Sequence, residues 1–215
     1  MGLSFFSRRI TDFYKVQRAI SALIRNNTVL TKRGLDHKEY LDVGCGNNTG
    51  PDFVNLDYFW NPGIDVCWDI TTKALPFGND RFKGIYTEHC LEHIGLEDCE
   101  RNIQEFHRIL KPGGRVRIIV PDGEMLFEIY HERRNGGDRR MPHEDGYSSM
   151  MQSINGVFRN HGHQFIYDFE TMRLLLERNG FKNVEKLAYQ KGHDPRLIRD
   201  TETRSRESLY VEAVK

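Results

Sequence analysis

Leu41-Asp42-Val43-Gly44-Cys45-Gly46-Asn47 reads as a buried strand that runs into two glycines, with an acid just ahead of the turn. Glycine has no Cβ, so it lets a backbone turn sharply at a strand end and lie against a bound ligand. A second acid, Asp57, closes the next apolar run, Phe53-Val54-Asn55-Leu56. Together these form the layout of a nucleoside-binding edge in an α/β sheet, open to a dinucleotide or to S-adenosylmethionine (SAM). A dinucleotide fingerprint wants G-x-G-x-x-G opening a helix, with its ribose acid about 20 residues on. Here Thr49 stands where the third glycine should be, and Asp57 follows Gly44 by only 13 positions.

The rest of the 215 residues bounds the problem. That length suits one complete domain and is short for two. With 38 % hydrophobic and 29 % charged residues, the composition is that of a globular protein. No apolar run approaches the roughly 20 residues of a membrane span. Met1 to Ile10 lacks a signal-peptide core, and Phe6 occupies the position where a myristoylation signal wants Ser or Thr. Cys45, Cys67, Cys90 and Cys99 contain no C-x-x-C pair, which points to reduced thiols in a cytoplasmic protein and away from a zinc site. A formal net charge of zero argues against nucleic acid as a partner. Residues 1–40 nevertheless hold eight Lys/Arg against three Asp/Glu: a basic arm that touches an anionic ligand, or a solvated helix face.

Periodicity supplies the architecture. Ile10, Phe13, Val16, Ala19, Ile20, Leu23 and Ile24 fall at helical spacing, so residues 1–35 are expected to form an N-terminal helical arm and 36–215 the main domain. Strands are expected at Tyr40–Val43, Phe53–Asp57, Ile64–Cys67, Gly84–Thr87, Val116–Val120, Val184–Tyr189 and Leu209–Val214. Helices are expected at Leu96–Leu110, ended by Lys111-Pro112-Gly113-Gly114, and at Phe169–Asn179, capped by Asp168 and stopped by Gly180. This is an α/β, Rossmann-like, mostly parallel sheet of about seven strands with the last one antiparallel. Six residues separate Gly46 from Phe53, and six separate Asp57 from Ile64. A crossover helix needs a dozen or so, so the first two crossover helices are missing or very short. One face of a sheet that should be buried on both sides is then uncovered. The N-terminal helix is the first candidate to cover it, and a second subunit of a homodimer the next. Residues 121–165 form a charged insertion with an apolar helix around Met125–Tyr130, placed to act as a substrate-side lid.

From Tyr40 to Val120 the chain resembles class I SAM-dependent methyltransferases, specifically the type 11-like enzymes in a shortened form. Leu41-Asp42-Val43-Gly44-Cys45-Gly46 resembles that family's first motif, and Asp57 its ribose acid. Trp68-Asp69-Ile70 with Ala74-Leu75-Pro76-Phe77 resembles its adenine-binding stretch. Phe82 to His93 looks like the fourth strand with its Leu-Glu-His ending, and Glu105 to Gly114 like the helix-to-strand corner. The resemblance implies SAM as cofactor and a small-molecule or glycan-type acceptor, methylated at oxygen. The rivals are a SAM-binding protein without turnover and an NAD-dependent oxidoreductase. The family's third glycine and the helix it opens are absent, so loop amides or a basic residue of the N-terminal arm must meet the methionine carboxylate.

Under this reading Asp42 takes the SAM ammonium and Gly44, Cys45 and Gly46 bring backbone to the ligand. Asp57 accepts both ribose hydroxyls. Asp69 accepts from the adenine amino group, Ile70 or Trp68 packs on the ring, and Glu88 and His89 border the methyl. A hydroxyl nucleophile wants a base, and histidine is the natural one near neutral pH. His89, His161 and His163 are the candidates, with His93 read as a packed residue at a helix start. His161-Gly162-His163 is half of a metal-ligand pattern, but with no acidic or cysteine partner nearby in sequence no metal site is assigned.

Overall fold

The computed structural model describes residues 15–28 and 34–215. Seven strands form one sheet: β1 Tyr40–Val43, β2 Phe53–Asp57, β3 Val66–Cys67, β4 Phe82–Glu88, β5 Leu110–Pro121, β6 Lys182–Leu187 and β7 Ser208–Val214. Their spatial order is β3-β2-β1-β4-β5-β7-β6, and β7 runs antiparallel to both of its neighbours. No helix occurs between β1 and β2 or between β2 and β3, as the short spacings require. The helices are α1 (15–24), α2 Leu96–Ile109, α3 Gly123–Arg134, α4 Met150–Arg159 and α5 Phe169–Arg178. Asp168 caps α5 by accepting from the Thr171 amide at 2.8 Å. The edge strand β6 is mostly exposed and carries Lys182, Glu185 and Lys186, which guards it against pairing with another sheet.

Of the expected boundaries, the start of β5 moves furthest. Helix α2 stops at Ile109, and Leu110 is already extended. The Lys-Pro-Gly-Gly corner lies inside β5, where Gly113 takes a φ of 77°. Lys111 precedes a proline and is driven out of the helical region, so the chain straightens before the glycines are reached. Helix α4 has no counterpart in the sequence reading. It joins α3 in a small core of Leu126, Ile129, Met141, Ile154 and Val157, so the insertion after β5 is a packed structure.

The two faces of the sheet are covered by different means. On one, α2 and α5 pack on Leu41, Val43, Val54, Leu56, Ile85 and Val116. The other carries Tyr40, Phe53, Tyr86, Ile119 and Tyr210, and the segment between β6 and β7 lies on it with Leu197 fully buried. This corrects the expectation that α1 covers the helix-less face. Arg199 lies 4.3 Å from the Phe53 ring centroid, and Tyr40 donates to Asp194 at 2.8 Å. Beneath the segment Arg117 is fully buried, with Nε and Nη2 donating to Asp200 at 2.8 and 2.6 Å and Nη1 to Glu212 at 2.8 Å. A chain that returns to the sheet can cover a face as a helix would, provided its charges are paired.

Helix α1 sits at the carboxyl ends of β2 and β3 instead. Trp60 N–H donates to Ser21 Oγ at 2.8 Å, Arg25 Nε to the Tyr58 carbonyl at 3.0 Å, and Asn26 N–H to the Cys67 carbonyl at 3.1 Å. Of the expected apolar stripe, Ile20 and Ile24 are half-buried while Val16, Ala19 and Leu23 are exposed. Ile10 and Phe13 lie outside the described residues.

Candidate active site

The glycine turn after β1 sits where the sheet strands end. Gly44 and Cys45 both donate their amides to the Leu56 carbonyl, at 2.9 and 3.2 Å, which ties the turn to β2. Gly44 has a φ of 74°, and a Cβ there would strike the Cys90 side chain, so the position accepts only glycine. Asp57 holds the opposite rim: Oδ2 accepts from the Gly46 amide at 2.9 Å and Oδ1 from the Phe59 amide at 2.8 Å. A carboxylate has about four lone-pair sites, so capacity remains after both bonds.

These rims enclose a cavity of about 550 Å³ lined by Gly44, Leu56, Asp57, Tyr58, Phe59, Trp68, Asp69, Ile70, His89, Cys90, His93 and Ile94 among others. The volume is in the range of small-molecule sites. Asp69 is oriented by the Thr71 amide and hydroxyl, at 2.9 and 2.7 Å, and donates its own amide to Asn26 of the α1 end. Beside the cavity a smaller hollow is bordered by Gly46, Asn47, Asp57, Phe59 and Asn61, with Gln17 and Arg18 of α1.

The structure separates the expected cofactor residues into two groups. Gly44, Asp57, Asp69 and Ile70 converge on the large cavity, and Gly46 borders the hollow. Cys45 is buried behind the turn, where desolvation pushes its thiol far up. Asp42 and Glu88 project to the face covered by the β6–β7 segment. Asp42 Oδ2 accepts from Arg199 at 2.7 Å, and Glu88 accepts the Thr201 amide and hydroxyl at 2.9 and 2.6 Å. Strand side chains alternate between faces, so Asp42 shares its face with Tyr40, away from Leu41 and Val43. The sequence reading missed Tyr58, Phe59, Cys90 and Ile94. The aromatic pair directly after Asp57, each ring 44 % exposed, was the available signal.

Burial pushes the Asp42 carboxyl up to about 7 against the pull of Arg199, with the Glu88 and Asp57 charges adding to the rise. In the unfolded chain the group ionises near 3.8. Between those values the folded state keeps a proton that the unfolded state has lost, so stability from this group is full below about pH 4 and falls as pH rises to about 7. Asp42→Asn abolishes that slope. In urea unfolding at a series of pH values, the variant should gain on the parent from pH 4 to pH 7 and hold steady above. Parallel profiles would refute the shift.

Comparison with known proteins decides the family. A family model described as "Methyltransferase domain" matches residues 13–186. The chain belongs to the methyltransferase-domain family. Its fold and motif order are those of class I SAM-dependent methyltransferase domains. A protein of Encephalitozoon cuniculi named as a methyltransferase is 26 % identical over 201 residues, covering 84 % of this chain and 90 % of that one. A ubiquinone/menaquinone biosynthesis C-methyltransferase of Klebsiella pneumoniae is 29 % identical over 121 residues, 53 % of this chain and 44 % of that protein. The chain thus matches less than half the length of that relative. In fold it is similar to a SAM-dependent methyltransferase from Archaeoglobus fulgidus, with a TM-score of 0.52 at 15 % identity over 93 % of this chain and 94 % of that one. Among the described residues no helix is long and apolar enough to cross a membrane.

The methyltransferase's large cavity fits SAM in its donor set. An acid stands at the end of β2 for a diol, and Leu56, Trp68, Ile70 and Ile94 supply apolar surface for a flat ring. When bound, SAM supplies a methyl group on a sulfonium sulfur, which is electrophilic without help from the protein. A second cavity of about 520 Å³ adjoins the first, lined by His89, His143, Tyr147, Asn160, His161, His163, Arg204 and Glu207 among others. All three expected catalytic histidines border it, and His89 borders both cavities. His89 has a φ of 49°, a region a non-glycine residue enters at a cost. Its amide is held by the Ile119 carbonyl at 2.9 Å. Ser208 Oγ donates its single proton to the Arg204 carbonyl at 2.8 Å, so it accepts from His89 Nε2, also at 2.8 Å. The imidazole is thereby fixed with Nδ1 turned toward Glu92, 3.1 Å away.

Proposed function

We propose that this methyltransferase transfers a methyl group to oxygen of a small, hydroxyl-bearing acceptor of glycan type held in the second cavity. The observation that supports this reading is the placement of His89 between a cavity suited to SAM and one rimmed by hydrogen-bonding side chains. Methyl transfer is an in-line displacement, so the protein's work is alignment of the two reactants and removal of a proton. His89, oriented by Ser208, stands at the junction of the two cavities, and His161 and His163 line the acceptor side, where that proton leaves. Asp57 takes the ribose hydroxyls, Asp69 and Ile70 the adenine. The insertion helices α3 and α4 wall the acceptor, which is the part of the fold where specificity is set.

The hollow beside Gly46 suggests what replaces the absent helix. Arg18 reaches it from α1, and a guanidinium binds a carboxylate with planar, paired hydrogen bonds. Arg18→Ala should therefore weaken SAM binding about tenfold, the scale of one charge-assisted bond, in a calorimetric titration. An unchanged affinity would move the carboxylate to loop amides.

Incubation with methyl-labelled SAM and pools of sugars, nucleosides and small hydroxy compounds tests the reaction. Label appearing in a hydroxyl compound, with S-adenosylhomocysteine formed in equal amount, is the expected result. SAM binding with no S-adenosylhomocysteine across the pools would favour a binding protein without turnover.

A further inference from the structure

We propose that Glu92, His93 and His163 bind one divalent transition-metal ion at the seam between the two cavities. The starting point is Glu92. Its side chain is fully buried, yet neither carboxylate oxygen accepts a hydrogen bond. A buried carboxylate that accepts no hydrogen bond is among the costlier arrangements in a protein interior. What surrounds it is a set of imidazoles. His89 Nδ1 lies 3.1 Å from Oε1 and His93 Nε2 4.0 Å from the same oxygen. One ligand atom each from Glu92, His93 and His163 falls within 4.8 Å of the others.

Backbone bonds bring these distant positions together. Leu91–His93 form a short 3-10 turn after β4. The Glu92 carbonyl accepts the amides of Gln164 and Phe165 at 2.7 and 3.3 Å, and Gln164 Nε2 donates to the His93 carbonyl at 2.8 Å. The loop that carries His163 is thus stitched to the turn that carries Glu92 and His93. The His93 and His163 rings meet nearly edge to face, with centroids 4.8 Å apart.

The tautomer of His163 suits a ligand. Its Nδ1 lies 2.5 Å from the Val157 carbonyl, which can only accept, so Nδ1 carries the proton and Nε2 offers a lone pair. Donation of the far ring N–H to a backbone carbonyl is how metal-bound histidines are oriented. Bonds of about 2 Å draw ligand atoms closer than 4.8 Å. His93, whose side chain is 38 % exposed, has the freedom to swing in. Two imidazoles and one carboxylate form a three-ligand set that leaves positions open. It suits Zn²⁺, Co²⁺, Mn²⁺ or Fe²⁺ better than the all-oxygen preference of Mg²⁺ and Ca²⁺. His93 borders the SAM cavity and His163 the second one, so the open positions lie where an acceptor oxygen would sit. That role, polarising the acceptor oxygen, rests on the function proposed above, whereas the metal site itself does not. The competing way to balance Glu92 is a charged His89 ring, which also faces Arg204 at 3.5 Å.

The full chain, stripped with chelator and dialysed, is titrated with Co²⁺ and with Zn²⁺ in the absence of SAM. One equivalent should bind, Co²⁺ should show the visible absorption of a histidine-bound ion, and the thermal midpoint should rise. Glu92→Gln and His163→Gln should each weaken binding by at least about a hundredfold, since losing even a group that only orients a ligand costs up to about that much. His163 sits on a loop, so that variant keeps the test valid if Glu92→Gln fails to fold. No binding at millimolar metal, or equal binding by parent and His163→Gln, overturns the proposal and leaves His89 as the partner of Glu92. A separate SAM titration reads the function: SAM without metal binding removes only the metal site, and metal without SAM binding removes only the methyl-transfer reading.

Discussion

Arg117→Met should lower the folding free energy by about 3–5 kcal/mol, the cost of leaving buried partner charges uncompensated. Arg117 is fully buried and balances two acids at once, Asp200 through two parallel bonds and Glu212 through a third, while Nη1 also donates to the Lys191 carbonyl at 2.9 Å. Methionine fills much of the same stem volume, so the loss is electrostatic and leaves no large cavity. For a chain of this size, about 2–4 °C of thermal midpoint is lost per kcal/mol, so the midpoint should fall on the order of 10 °C. Urea unfolding measures the free energy directly. A loss under about 1 kcal/mol would mean that water reaches the acids. Because Asp200 and Lys191 both belong to the segment that covers the helix-less face, the variant should also loosen that segment. Faster amide exchange around Leu197 than around α2 would show it.

Asp57→Ala should weaken SAM binding more than tenfold. The carboxylate does two things that alanine cannot: it holds the amides of Gly46 and Phe59, and it keeps lone pairs for a diol. Each hydrogen bond to a charged group contributes about 1.5–3 kcal/mol, and losing even one exceeds the 1.4 kcal/mol that makes a tenfold change. Asp57→Asn should fare little better, since its amide group would present donors to a rim that already offers only donors. Calorimetric titration with SAM gives the affinity, and an unchanged thermal midpoint confirms that the fold survives. Undiminished SAM affinity in a folded Asp57→Ala protein would remove the ribose assignment.

Much of the fold was legible because its signals are local. The run into Gly44 and Gly46, the Asp168 cap of α5 and the six-residue gaps after β1 and β2 each depend on neighbours within a few positions. Local signals also explain the misplaced end of α2. The corner was read as a helix stop, whereas Pro112 acts one residue ahead of itself and drives Lys111 into strand, with Leu110 already extended. Helix α4 escaped because its apolar residues gain meaning only against α3.

The sequence by itself determined the strand-turn-strand edge, the two acids on either side of its turn and the kind of cofactor they suit. Only the tertiary structure decided which acid meets which partner. Asp42 and Asp57 look alike along the chain, but one lies on the face where Arg199 arrives and the other at the strand end beside the cavity. Glu92 and His163 stand 71 positions apart and meet through three hydrogen bonds between a turn and a loop. The physical reason is one of range. Backbone preferences and side-chain periodicity act over a few residues, whereas burial and charge pairing depend on whatever distant segment packs there.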